Sequence, residues 1–131
     1  MAENPQMGKR DIIKKMGEAL FRRDWEQFKS FLADDILFKD GGLPDRHGPE
    51  AVADIYIQTF KTDLVLKGLT PRGSWQPEED VVIIEYVTQA TRVKDNKAVE
   101  FPCTDTYRFR GDKIHEWRVY PMYPLFVESF D

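Results

Sequence analysis

The hydrophobic pattern changes period once along the chain, from helical spacing in the first half to strict alternation in the second. In residues 9–23, apolar side chains recur every three or four positions, which predicts an amphipathic helix. Asp24, followed three residues later by Gln27, is a capping-box pattern that opens a short second helix, which ends at Asp34-Asp35. Pro49 begins a third helix. Its apolar stripe consists of Val52, Ile55, Tyr56 and Phe60.

Strands are predicted wherever apolar and polar positions alternate. A short strand over residues 36–40 and a loop over 41–48 separate the second and third helices. The later strands cover residues 64–75, 80–93, 99–110 and 113–121. Pro71 indicates that the first of these is an edge strand or carries a bulge. Helices followed by a meander of strands predict an α+β fold with an antiparallel sheet, in one domain of residues 1–131.

The strand over residues 99–110 carries a single carboxylate on an apolar face. Its odd positions are Val99, Phe101, Cys103, Asp105, Tyr107 and Phe109. Because the side chains of a strand alternate faces, Asp105 points the way the aromatic residues point. A buried carboxyl is costly unless it is paired, hydrogen-bonded or protonated. Asp105 is therefore either a structural group bonded to a backbone amide or an arginine, or a pocket acid with a raised pKa that is ready for proton transfer.

Composition narrows the class of protein. The 131 residues are 41% hydrophobic and 32% charged, which is typical of a globular domain. The net charge of −4, without a basic stripe, argues against nucleic-acid binding, and no apolar run is long enough to cross a membrane. The polar N-terminus does not resemble a signal peptide, so we expect a cytoplasmic protein. One cysteine and two isolated histidines predict neither a disulfide nor a metal site.

Three signals, in this order, resemble the nuclear transport factor 2-like superfamily. They are Ala-Asp-Asp at 33–35, Gly-Pro-Glu at 48–50 and Asp-Thr-Tyr-Arg-Phe at 105–109. The superfamily includes SnoaL-like polyketide cyclases and ketosteroid isomerases, and the resemblance covers residues 9–121. It implies a cone-shaped barrel in which three N-terminal helices pack on a curved antiparallel sheet and enclose an apolar pocket.

The resemblance also implies two alternative functions. One is a cofactor-free acid–base enzyme of isomerase, cyclase or dehydratase type, acting on a small hydrophobic ring compound, plausibly in secondary metabolism. The other is a non-catalytic module of the same fold that binds a small ligand or a protein. Two carboxyls in one apolar pocket separate these alternatives, because proton transfer requires them and simple binding does not.

The similarity to ketosteroid isomerase assigns roles to individual residues. Asp40, after the short strand, matches the general base, and Asp105 matches the acid that hydrogen-bonds the oxygen of the substrate. Tyr56 matches a tyrosine that lines the pocket. The first-helix tyrosine of that enzyme is replaced here by Met16, so one hydrogen-bond donor to the substrate is missing. Two carboxyls in one apolar cavity would have pKa values pushed apart, which separates acid from base.

The strand over residues 80–93 leaves the orientation of Glu85 open. Both faces of this strand are apolar enough to be buried. Glu85 either faces the pocket, where it would bind substrate, or forms an ion pair with Arg92 or Arg108 on the outer face of the sheet.

The turn at Gly111-Asp112 decides which residues of the last strand face the pocket. A two-residue turn places Arg118 opposite Asp105, whereas a three-residue turn points His115, Trp117 and Val119 inward. We favour the three-residue turn, because burying tryptophan and valine costs less than burying charged residues. His115 is then a third candidate catalytic group, as a proton carrier.

The predicted substrate-binding residues are Met16, Tyr56, Glu85, Phe101, Tyr107 and Trp117, of which the last two and Phe101 form an aromatic wall around Asp105. The tail over residues 120–127 is too apolar to remain exposed, so it either covers the cavity or packs on a partner. We expect a homodimer, formed through the outer sheet face or through this tail.

Overall fold

Helices come first and a curved sheet follows, as the change of hydrophobic period predicts. The protein is described by a computed structural model over residues 8–41 and 43–121. The elements in these residues, in chain order, are α1 (Lys9–Arg22), α2 (Trp25–Ser30), β1 (Leu32–Asp40), β2 (Arg46–His47), α3 (Pro49–Thr59), β3 (Leu64–Glu78), β4 (Val81–Arg92), β5 (Lys97–Arg110) and β6 (Lys113–Pro121). The α+β class is therefore confirmed, and β2 is a short strand that the sequence analysis assigned to a loop.

The helix boundaries follow the capping signals. The Asp24 carboxylate accepts a hydrogen bond from the Gln27 N–H at 3.2 Å, which confirms the predicted start of α2. The predicted end of α2 at Asp34-Asp35 was wrong. The helix ends at Ser30, and residues 32–35 belong to β1. Tertiary contacts explain this difference. Leu32 pairs with Ile114 of β6, so strand β1 begins at a position that the local sequence assigned to the helix.

The six strands form one open sheet in the order β2-β1-β6-β5-β4-β3. Every neighbouring pair is antiparallel except β1 and β6, which run parallel. The sheet is thus mixed rather than antiparallel throughout. No hairpin joins β1 to β6, so chain connectivity does not fix their relative direction. Pro71 lies in β3, an edge strand with a bulge beside Pro71, as predicted.

The last hairpin corrects the predicted turn. Arg110 pairs with Lys113, so Gly111-Asp112 is a two-residue turn, with Gly111 at a φ of 62°. A bulge then follows at His115, which lies between the pairs Arg108–Glu116 and Phe109–Ile114. This extra residue restores the register in which Trp117 faces Tyr107. Trp117 and Val119 therefore point inward as predicted. His115 does not, because Ile114 is the buried residue at the start of this strand.

The core lies between the three helices and the inner face of the sheet. Its fully buried residues include Phe28 from α2, Phe38 from β1, Val52 from α3, Val82 from β4 and Ile114 from β6. Helices and sheet thus contribute to one hydrophobic cluster. None of the helices in the described residues combines the length and the apolarity that crossing a bilayer requires.

Candidate active site

Strand β5 buries the carboxylate that its alternating pattern predicts. Every odd residue from Val99 to Phe109 is buried, and the even residues between them are half-buried or exposed. Asp105 is only 1% exposed. In the neighbouring strands, Val119 of β6 pairs with Asp105 on one side and with Asp40 of β1 on the other. The two aspartates therefore face the same side of the sheet, two strand spacings or about 10 Å apart at their Cα atoms.

Three side chains donate hydrogen bonds to the Asp105 carboxylate. Tyr107 Oη and Trp117 Nε1 lie 3.0 and 3.1 Å from Oδ2. Tyr86 Oη lies 3.0 Å from Oδ1 and 3.1 Å from Oδ2. No charged partner is needed for this arrangement, because three neutral donors satisfy the carboxylate. The sequence alternatives of a backbone amide or an arginine as partner are thus replaced by two phenols and an indole.

The environment raises the pKa of Asp105 from its ordinary value of 3.8 to about 7. Burial is the largest cause, since it disfavours the charged form. The hydrogen bonds from Trp117, Tyr86 and Tyr107 act in the opposite direction, and the nearby charge of Asp40 raises the pKa further. Asp105 is consequently a carboxyl that changes protonation near neutral pH.

Aromatic rings surround this carboxyl on the helical side. Trp117 stacks on Tyr56 of α3, with ring centroids 5.7 Å apart and an interplanar angle of 18°. Phe28 and Phe38 meet the Trp117 ring at 6.2 and 5.0 Å, and Tyr107 meets it at 5.2 Å. Trp117 therefore connects the aromatic residues of the helices with the buried acid.

Tyr56 and Asp40 occupy the half-buried side of this group. The pKa of Tyr56 is raised well above its usual value, first by burial and then by the charges of Asp105 and Asp40. Its hydroxyl is therefore neutral at physiological pH and remains a hydrogen-bond donor. The charge of Asp40 raises the pKa values of Asp105, Tyr56 and Cys103, which agrees with its register position two strands from Asp105 on the same face of the sheet.

Met16 and Phe101, two further predicted lining residues, are both buried but differ in position. Met16 packs in the hydrophobic cluster that contains Tyr107 and Trp117. Phe101 shares the inner face of β5 with Asp105 but lies four residues, or about 13 Å, farther along the strand. The aromatic wall at Asp105 is thus formed by Tyr107, Trp117 and Tyr56 rather than by Phe101.

Two residues of the predicted site lie elsewhere. Glu85 is exposed and pairs with Thr104, a residue of the opposite face from Asp105, so it is not part of the site. His115, at the bulge of β6, is half-buried and lies near Asp35, whose pKa is lowered chiefly by the Arg110 hydrogen bonds and slightly by His115. Neither residue is brought to Asp105.

Tyr86 is the site residue that the sequence analysis missed. Ile84 of β4 pairs with Asp105, so the even residues of β4 face inward, and Tyr86 comes next along that face. The apolar pattern of β4 does not reveal this, because Val81, Ile83 and Val87 make its odd face equally hydrophobic. The pairing with β5 reveals it: Arg92 pairs with Lys97, and this register assigns the even residues of β4 to the face of the odd residues of β5.

The described residues contain two surface depressions of about 450 and 440 Å³, and neither is lined by Asp105. The first lies beside β1 and α2, near Lys29, Asp35 and Arg110, and the second lies on the outer face of the sheet. Within residues 8–41 and 43–121, no group of three or more histidine, cysteine, aspartate or glutamate residues is placed to hold a metal ion.

Solved structures with this architecture are numerous. A candidate polyketide cyclase from Xanthomonas campestris pv. campestris is 17% identical, with a TM-score of 0.79 over 94% of this chain and 96% of that one. A candidate isomerase from Bacillus subtilis is 16% identical, with a TM-score of 0.80 over 95% and 96%. A protein from Catenulispora acidiphila with a ketosteroid isomerase-like fold, in complex with trimethylamine, is 18% identical, with a TM-score of 0.72 over 84% of each chain.

Comparison of the sequence gives one family match and no individual relative. No curated protein sequence matches this chain significantly. Residues 13–117 match the family described as the SnoaL-like domain, a span that runs from α1 to Trp117 of the site. This chain therefore belongs to the SnoaL-like family and has the nuclear transport factor 2-like fold.

Proposed function

We propose that this chain is a cofactor-free acid–base enzyme, of isomerase, cyclase or dehydratase type, acting on a small hydrophobic ring compound that carries a carbonyl or hydroxyl group. The observation that carries this proposal is the Asp105 carboxyl, buried among aromatic rings with a pKa of about 7 and facing the same side as Asp40. A carboxyl with a pKa near the working pH can serve as an acid while its neighbour serves as a base.

In this mechanism the two aspartates have different roles: Asp40 is the general base and Asp105 is the hydrogen-bond donor. Asp40, on the half-buried side of the site, removes a proton from the carbon between the carbonyl and a neighbouring C=C bond of the substrate. The C–H electron pair forms a new C=C bond, and the π pair of the carbonyl moves to its oxygen. Neutral Asp105 donates a hydrogen bond to the resulting oxyanion. Asp40 then returns its proton to the far carbon of the original C=C bond and the oxyanion re-forms the carbonyl, so the double bond has moved next to the carbonyl, which completes an isomerisation. Tyr56 supplies the second donor that Met16 cannot provide.

The apolar lining fits a ring compound rather than a charged metabolite. The rings of Phe28, Phe38 and Trp117 all pack on Tyr56, and Trp117 also donates a hydrogen bond to Asp105, so the surroundings of this acid are aromatic. The descriptions of two structural neighbours as a candidate cyclase and a candidate isomerase agree with this reaction class.

Carbon–hydrogen exchange tests the proposal without knowledge of the natural substrate. Cyclic ketones such as cyclohexanone and 2-tetralone are incubated with the protein in D₂O, and proton NMR follows the loss of the signal next to the carbonyl. We expect protein-dependent exchange that falls at least about 100-fold in Asp40→Asn and in Asp105→Asn, since each removes a positioned base or donor. Asp112→Asn, at an exposed turn residue, is the matched control and should keep the wild-type rate.

A ligand-binding module is the second candidate function. It is favoured by the complete hydrogen bonding of Asp105, because a carboxylate with three donors also has the properties of a structural core group. Ketones that bind the wild type, while neither wild type nor variants catalyse exchange, would support the binding module. Wild-type exchange at a rate unaffected by both substitutions would disprove the two-carboxylate mechanism.

We also propose that the protein forms a homodimer through the outer face of the sheet. Trp75 and Tyr120 are 52% and 51% exposed on this face. Glu85 of β4 and the pair Glu116–Arg118 of β6 also lie on this face, so a two-fold axis can bring Glu85 of one copy to Arg118 of the other. Sedimentation equilibrium should give a dimer that Trp75→Lys dissociates, and a monomeric wild type at high concentration would exclude it. Residues 122–127 of the apolar tail lie outside the described residues, so the prediction that the tail covers the cavity or packs on a partner stays a prediction.

A further inference from the structure

The two oxygens of the Asp105 carboxyl have different surroundings. Oδ2 accepts from Tyr107 and Trp117 at 3.0 and 3.1 Å. Oδ1 has Tyr86 as its donor, at 3.0 Å, and the same hydroxyl is 3.1 Å from Oδ2. The indole N–H of Trp117 can only donate, so its bond to Oδ2 requires an acceptor there in every protonation state. Tyr107 and Trp117 bond only to Oδ2, whereas the Tyr86 hydroxyl is shared between the two oxygens, so among the described residues Oδ1 has Tyr86 alone as its hydrogen-bond partner.

We propose that Asp105 takes up its proton on Oδ1, and that Tyr86 is the positioning residue that holds this oxygen as the donating end of the acid. Oδ2 then remains the carbonyl oxygen and keeps both of its hydrogen bonds when the group is neutral. The Tyr86 hydroxyl changes its role with the charge: it donates to Oδ1 of the carboxylate, and it accepts from the Oδ1 proton of the neutral acid.

Cys103 is the cross-strand neighbour of Tyr86 on the inner face of the sheet. Burial raises the pKa of the Cys103 thiol to about 11, and the neighbouring Tyr86 hydroxyl acts in the opposite direction. The Cys103 sulfur is also 3.8 Å from Thr88 Oγ1. The other titratable groups that influence Asp105 electrostatically are Asp40 from β1 and Tyr56 from α3.

This assignment determines where the oxygen of a substrate would bind. The inference rests on the proposed function for that consequence alone. The developing oxyanion must approach Oδ1, because Oδ2 has no proton to donate, and it must replace the Tyr86 hydroxyl as the acceptor. Tyr86 thus competes with the ligand for the same proton, whereas Tyr107 and Trp117 do not.

Infrared spectroscopy of the neutral acid tests the assignment without a substrate. The carbonyl stretch of protonated Asp105 is isolated as the difference between low and high pH, with the Asp105→Asn protein and aspartate labelled with ¹³C at Cγ as references. In Tyr107→Phe the carbonyl oxygen loses a hydrogen bond, so we expect the stretch to move to higher frequency. In Tyr86→Phe we expect less than half of that movement, because Tyr86 bonds the hydroxyl end of the acid. Tyr120→Phe, at an exposed residue, should change nothing.

The same spectra give the pKa of Asp105 in each variant. We expect both Tyr86→Phe and Tyr107→Phe to raise it by roughly 1–2 units, since each removes one hydrogen bond from the charged form. The two variants should therefore raise the pKa of Asp105 by similar amounts but shift its carbonyl frequency by different amounts. A merely structural role of Tyr86 would not produce this combination. Equal frequency shifts, or a larger shift in Tyr86→Phe, would overturn the assignment of the proton to Oδ1.

A measurement on the unmodified protein remains if a variant does not fold. The ¹⁵N-¹H signal of the Trp117 indole should keep its hydrogen-bonded position while Asp105 titrates, because Oδ2 stays an acceptor. Movement of that signal to the position of a free indole, as pH falls through the Asp105 pKa, would contradict the proposal. Since neither measurement involves a ketone, failure of the exchange assay would leave the Oδ1 assignment intact, and the reverse also holds.

Discussion

Replacing Asp105 by asparagine should remove a strong pH dependence of stability. In the folded protein the pKa of Asp105 is raised from 3.8 to about 7, chiefly by burial. Below the lower value the carboxyl is neutral in both states, and above the higher value it is charged in both. Between them the folded protein binds the extra proton, so the wild type loses stability as pH rises through this window. Asparagine has the shape of the neutral acid and does not titrate.

The size of the effect follows from the width of that window. A gap of about three pKa units, at about 1.4 kcal/mol per unit, corresponds to roughly 4 kcal/mol. Relative to the wild type, Asp105→Asn should therefore gain about 4 kcal/mol in the free energy of unfolding between pH 4 and pH 8. The asparagine can also keep the hydrogen bonds, with its carbonyl facing Tyr107 and Trp117 and its amide group facing Tyr86.

Urea denaturation followed by far-ultraviolet circular dichroism at half-unit pH intervals measures this difference. The other carboxyls titrate in both proteins, so their contributions cancel when the two curves are subtracted. Asp112→Asn provides the matched control, and its difference from the wild type should stay constant over the same range. A constant difference for Asp105→Asn as well, or a change of opposite sign, would refute the claim that the fold holds Asp105 as a neutral acid.

Three further outcomes are expected from the same structure. Phe28→Ala should lower the free energy of unfolding by about 3–5 kcal/mol in urea denaturation, because Phe28 is fully buried against Trp25, Tyr56 and Trp117; a loss below about 1 kcal/mol would contradict this packing. Cys103 should resist iodoacetamide at pH 8 in the folded protein and react in urea, because burial raises the thiol pKa to about 11; rapid labelling of the native protein would show an open site. The ketone exchange rate should fall as pH rises through about 7, since only neutral Asp105 donates to the oxyanion; a rate that rises there would contradict its role as donor.

The sequence was sufficient for the elements with a single apolar face. The five buried residues of α1 recur at helical spacing, and every odd residue of β5 from Val99 to Phe109 is buried, so each pattern has only one amphipathic solution. The burial of Asp105 followed directly, because its side chain must point to the same face as those of Cys103 and Tyr107, two residues before and after it. The resemblance to a known superfamily added roles for Asp40, which shares a sheet face with Asp105, and for Tyr56, which stacks on Trp117.

The tertiary structure alone decided what the ambiguous segments do. Strand β4 is apolar on both faces, so its own pattern could not distinguish Glu85 from Tyr86; its pairing with β5 through Ile84 and Asp105 turns Tyr86 inward and Glu85 to the surface. The bulge at His115 likewise depends on the neighbouring strands, which require Trp117 and Ile114 to be buried. The parallel pairing of β1 with β6 joins segments separated by most of the chain. Local sequence determines which face of a strand is apolar. The register between strands determines which polar groups meet on that face, and the hydrogen bonds of Asp105 depend on that register.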